Sequence, residues 1–147
     1  MRRNIVILLV GALFASSCSS SLSQDELDAC FEAASYDTGF EDFGYLNLTM
    51  SQQITDAIPD GLDGAAYDEA WTAAVNDLYG ITFTELTEIF GRADVLVADE
   101  QGASPESGDP GFGDYWAFRD QTVLNQWNES DPSSLAKFCD IADQTSR

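Results

Sequence analysis

Apolar residues recur along most of this chain at spacings of three and four, the period that gathers side chains on one face of an α-helix. Ser23 opens the first such stretch. Its hydroxyl caps a helix while Glu26, three residues on, reaches back in a capping box, and Leu27, Cys30, Phe31 and Ala34 share a face. From Tyr36 to Met50 the period lapses into a loop that interleaves Phe40, Phe43 and Tyr45 with glycines and acids. A short helix over Ser51 to Ile58 carries Ile54 and Ile58 and must end before Pro59, because proline drives the preceding residue out of helical geometry. Asp60 to Gly64 is a turn, and beyond it Tyr67, Ala70, Trp71, Ala74, Val75 and Leu78 mark the central helix, with Gly80 placed to terminate it in a left-handed conformation.

Thr82 and Glu85 repeat the capping-box spacing, and Phe83, Leu86 and Phe90 form the inner face of a further helix that closes at Gly91. Arg92 to Glu100 contains Val95-Leu96-Val97, which has no partner strand in the sequence and is read as helix. Gln101 to Gly113, rich in Gly and Pro, is the one long loop. Asp114 then caps a helix to Trp127, with Trp116, Val123, Leu124 and Trp127 inward and Phe118 off that stripe. Asp131-Pro132 starts the last helix, since proline at the first helical position sacrifices no hydrogen bond; Leu135, Phe138, Cys139 and Ala142 line its inner face. The pattern predicts an all-α fold: a small single-domain bundle of five or six short helices.

The chain ahead of Ser23 reads differently. Arg2 and Arg3 precede an apolar run from Ile5 to Phe14, followed by small residues up to Cys18, the grammar of a secretory signal peptide. The run is shorter than the roughly 20 residues needed to span a bilayer. The organisation expected is therefore a signal peptide over residues 1–17, a polar tether over 18–22 and a helical domain over 23–147. The stretch Leu13-Phe14-Ala15-Ser16-Ser17-Cys18 resembles the lipobox of bacterial lipoproteins, and the resemblance implies that Cys18 is diacylated, becomes the new N-terminus and fastens the protein to an extracytoplasmic membrane face. Ordinary cleavage after Ala15-Ser16-Ser17 is the alternative; it leaves a secreted soluble protein with a free Cys18 thiol. Cysteine parity favours lipidation, because three cysteines in an oxidising compartment resolve as one acylated residue plus one pair, Cys30 and Cys139. The flanking patterns agree: Leu27-x-x-Cys30-Phe31-x-x-Ala34 near one end of the domain is matched by Leu135-x-x-Phe138-Cys139-x-x-Ala142 near the other, so a Cys30–Cys139 disulfide would close the bundle.

Charge narrows the partners. The whole chain carries 26 acids against 6 basic residues, a net charge of -20, and removal of Arg2 and Arg3 makes the mature chain more negative still. Such a field repels phosphate, so no nucleic acid is expected as a partner, and membrane contact is expected through the N-terminal lipid. The acidity reads first as solubility at high ionic strength and second as a surface for a cationic small ligand or a basic protein. With no histidine present, Ser-His and Cys-His nucleophiles and the usual zinc and iron ligand sets are excluded.

Three residual chemistries are weighed. The aromatics Phe40, Phe43 and Tyr45, with Phe112, Tyr115 and Trp116, are candidates to line a site for an apolar or cationic ligand, although aromatics in such loops more often lid a core. Asp60, Asp63 and Asp68 crowd a glycine-containing turn and are candidates for a weak calcium site, without the spacing of a calcium-binding loop. Carboxylate pairs such as Glu85 with Glu88, or Asp68 with Glu69, are the only residues from which a glycosidase-like hydrolase could be built, but they fall on outer helix faces. Ser134 and Lys137 have the S-x-x-K spacing of serine penicillin-binding enzymes but lack the companion motifs, and Asn47 and Asn128 sit in glycosylation sequons to which a bacterial leader gives no meaning. No cofactor is called for. The expected function is that of a non-enzymatic envelope lipoprotein acting as a binding or interaction module, with the small envelope hydrolase as the alternative.

Overall fold

A computed structural model describes residues 20–35 and 45–145. These form six helices and no strand: α1 (Gln24–Ala34), α2 (Tyr45–Ala57), α3 (Gly64–Tyr79), α4 (Phe83–Gln101), α5 (Phe112–Ser130) and α6 (Pro132–Thr145). Both capping boxes are formed. Ser23 Oγ accepts from the Glu26 amide at 3.3 Å while Glu26 Oε2 accepts from the Ser23 amide at 2.7 Å. The Thr82–Glu85 pair repeats this at the start of α4, with distances of 3.2 and 3.0 Å. Gly80 ends α3 at φ 72°, the left-handed conformation that a side chain disfavours.

The longest contact in the bundle is between α4 and α5; α1 packs on α6, α5 and α2, and α3 packs on α2, α6 and α4. One core runs through all six. Its centre is aromatic: Tyr79, Trp127 and Phe138 are fully buried, with both the Tyr79–Trp127 and Tyr79–Phe138 pairs edge-on at 5.9 and 5.8 Å. Edge-to-face packing sets the positive rim of one ring against the negative face of the next. Each polar handle in this trio is satisfied, Trp127 Nε1 donating to Ser134 Oγ at 2.6 Å and Tyr79 Oη to Gln53 Oε1 at 2.8 Å.

Cys30 and Cys139 are bonded, with their Cα atoms 5.1 Å apart, joining α1 to α6 across 109 residues of sequence. The bond is compatible with an extracytoplasmic location, since such links persist in oxidising compartments. No helix among the described residues is long and apolar enough to cross a membrane.

Three element boundaries depart from the expectation. Helix α2 starts at Tyr45 instead of Ser51, because its first turns are held by tertiary contacts: the Thr49 hydroxyl donates to the Ala34 carbonyl, and the Leu46 amide donates to Asp120 Oδ2 at 3.1 Å. Helix α4 does not stop at Gly91. Leu86, Ile89, Ala93 and Val97 form a continuous buried stripe across the glycine, and that burial outweighs the roughly 1 kcal/mol a mid-helix glycine costs. Phe83, expected inside, is 40% exposed. Helix α5 starts behind Gly111, at φ 83°, instead of being capped by Asp114, which sits in the first turn where its charge suits the helix dipole.

Candidate functional site

The described part of the chain begins at the edge of a groove. Leu22 packs its side chain against the core, and its backbone is held at both polar atoms by the carboxamide of Asn128 on α5. Asn128 Oδ1 accepts from the Leu22 amide at 2.8 Å, and Asn128 Nδ2 donates to the Leu22 carbonyl at 3.0 Å. This reciprocal pair copies the way one extended strand bonds another. It fixes the chain at the seam between α1 and α5, one residue ahead of the Ser23 cap.

Beside that clamp lies a cavity of about 550 Å³ between α1, α4 and α5. Leu96 and Phe118 give it an apolar flank; Gln24 and Gln126 supply amide donors and acceptors, and Glu100 and Glu129 supply negative charge. No basic residue lines it. A second groove of about 260 Å³ follows the disulfide seam, where Ala29, Ala33 and Ala136 leave room beside Glu26 and Asp140. Leu22 borders both. Their chemistry suits hydrogen-bonding or cationic groups, not anions.

Most of the buried charge is elsewhere, in the middle of α5. Arg119 and Asp120 are 6% and 1% exposed. The Arg119 guanidinium donates to Asp94 Oδ1 at 2.8 Å and to Asn47 Oδ1 at 3.0 Å, lies 3.5 Å from Asp120 Oδ1, and sits over the Phe90 ring at 5.0 Å. With the Leu46 amide on Asp120, the cluster ties α2, α4 and α5 together. Arg119 and Asp120 face protein while Asp94 closes the solvent end, so the cluster acts as a rivet. Neither the clamp nor the rivet was anticipated from sequence, although Asn128 falls four residues after Leu124, on the apolar stripe, and such a misplaced polar residue is the signal that marks it.

The predicted site residues are only partly brought together. Cys30 and Cys139 are joined as expected. Cys18, Phe40 and Phe43 lie outside the described residues, and Tyr45 opens α2. Phe112, Tyr115 and Trp116 do cluster, not in a loop but on the first turns of α5, with Phe112–Trp116 and Tyr115–Trp116 edge-on at 6.2 and 5.4 Å. Phe112 is buried, and none of the three lines either groove. Asp60, Asp63 and Asp68 are all exposed, and no group of three or more potential metal ligands exists among the described residues.

The carboxylates named for hydrolysis are likewise exposed. Glu85 is engaged by the Thr82 hydroxyl and amide, which hold its carboxyl below the usual range, the opposite of what a general acid requires. Ser134 is buried with its hydroxyl shared between Trp127 Nε1 and the Asp131 carbonyl, so it is not a nucleophile presented to substrate. No family model, curated protein or solved structure matches this chain.

Proposed function

We propose that this is an exported protein, anchored by acylated Cys18, that acts as a non-enzymatic binding or interaction module for a cationic ligand or a basic protein. One observation carries the binding half of this reading. Among the described residues the cations are Arg92, Arg119 and Lys137, and Arg119 is spent in the core against Asp94, Asn47 and Asp120, which leaves the outer surface and both grooves overwhelmingly acidic. Cations approaching such a surface are steered to it, whereas anions are repelled. The 550 Å³ groove adds amide groups and an apolar flank to that charge, the combination by which a site orients an amine-bearing ligand.

The anchoring half is supported by the pairing of Cys30 with Cys139, which leaves Cys18 as the unpaired sulfur, in a lipobox-like context directly after an apolar leader. A diacylated cysteine supplies two chains, the number at which membrane attachment becomes stable.

Calorimetric titration with spermidine tests the binding half. The wild-type protein is expected to bind it with an affinity that falls as salt is raised, and Glu100→Gln/Glu129→Gln to weaken binding by about tenfold at low salt, as two lost charge contacts imply. Equal binding by wild type and the double variant would remove the groove from the reading.

A further inference from the structure

We infer that the Asn128 clamp turns the groove between α1, α4 and α5 toward the bilayer, so that this face is the one that rests on a zwitterionic headgroup layer. The inference builds on the proposed acylation of Cys18. Between Cys18 and Leu22 stand only Ser19, Ser20 and Ser21. Four residue steps, fully extended, reach about 14 Å. Because both backbone polar atoms of Leu22 are bonded to Asn128 and its side chain enters the core, none of that reach can be regained by fraying the chain from Leu22 onward. The anchored atom must therefore lie within about 14 Å of the α1–α5 seam, which places the seam at the membrane and faces farther away by the width of the bundle.

The surface at that exit point fits the assignment. Leu96, on the groove wall, and Val95 beside it are 46% and 60% exposed, two of the four large apolar side chains that the described residues leave in solvent. Glu100 and Glu129 on the same groove oppose anionic headgroups, while the amides of Gln24 and Gln126 can hydrogen-bond phosphate and ester oxygens of a lipid whose net charge is zero. The clamp sets orientation as well as distance. If Leu22 were released, the domain would hang from the Ser23 cap and turn freely.

The test uses the full acylated protein in phosphatidylcholine vesicles, with photoreactive benzoylphenylalanine placed either at Leu96 or at exposed Glu69 on α3. Lipid adducts and the mass of the Cys18 peptide are read from the same sample. Adduct yield at Leu96 should exceed that at Glu69 by about fivefold, a local-concentration effect of the short tether, and Asn128→Ala should bring the two within about twofold. Asn128→Asp, which keeps the acceptor for the Leu22 amide but loses the donor to its carbonyl, gives an intermediate ratio and serves if Asn128→Ala does not fold. Equal yields at the two positions in a protein whose Cys18 carries lipid overturn this inference alone, as does a ratio untouched by either Asn128 variant. A Cys18 without lipid overturns it together with the anchoring reading.

Discussion

Removing the Cys30–Cys139 bond is the perturbation whose size follows most directly from the structure. The link spans 109 residues and joins α1 to α6. For a loop of that length the chain-entropy treatment gives about 16 cal/mol/K of lost denatured-state entropy, or about 5 kcal/mol at room temperature. Domains of this size are stable by about 5–15 kcal/mol in total, so the bond supplies a third or more of the margin. Two routes remove it with different side effects: a reductant leaves both side chains in place, whereas Cys30→Ala/Cys139→Ala also opens a small void beside buried Cys30. Urea denaturation of the oxidised protein, the reduced protein and the double variant should give losses of about 4–5 kcal/mol by both routes, the double variant about 1 kcal/mol worse. The slope of free energy against urea should steepen, because an uncrosslinked denatured chain exposes more surface. A loss below about 1 kcal/mol with an unchanged slope would refute the reasoning, since the denatured ensemble would then not be held by the link.

The buried rivet gives a contrast: Arg119→Ala should cost about 3 kcal/mol by removing the cation beside buried Asp120, while Asp94→Ala, at the 55% exposed end of the same cluster, should cost under about 1 kcal/mol in thermal or urea melts. Burial holds the Tyr79 phenol above the ordinary tyrosine range. The unfolded chain therefore releases that proton first, and stability, intact below about pH 10, should fall as pH rises past it; Tyr79→Phe should lack this alkaline slope while costing about 1–2 kcal/mol at neutral pH, because Gln53 Oε1 loses its donor and Gln53 Nε2 already lacks an acceptor among the described residues. Gly80→Ala should cost about 1–2 kcal/mol, mainly from the φ of 72°, since the Lys137 Nζ that an added Cβ would meet at 2.7 Å ends a flexible side chain and can move aside.

Much of this fold was legible because its helix signals are local. A hydroxyl with a glutamate three residues on, a proline at a first turn and a glycine past a last one each have a backbone cause, and Ser23, Thr82, Pro132 and Gly80 all act as read. The cysteine pairing was legible for a different reason: the same apolar frame surrounds Cys30 and Cys139. What escaped depends on contacts between elements. Asn47, Thr49 and Gln53 make α2 look too polar to extend back to Tyr45, yet each of them bonds a group on another helix. Arg119 and Asp120 are buried only because α2 and α4 close over them, which no local pattern announces. Gly91 looks like a stop because its own propensity is poor, and only the stripe from Leu86 to Val97 shows that packing carries α4 through it. The groove was invisible for the same reason, since its walls come from three helices and its edge from an Asn that sequence alone marks only as out of place.

The central claim is that Cys18 is the membrane anchor while the other two sulfurs close the domain. Intact-mass spectrometry of the mature protein, before and after reduction, tests it most directly. The account predicts an N-terminus at Cys18 carrying a diacylglyceryl group, and a gain of two hydrogens on reduction from the Cys30–Cys139 bond alone. An N-terminus with an unmodified Cys18 thiol, or a mass that reduction leaves unchanged, would contradict it.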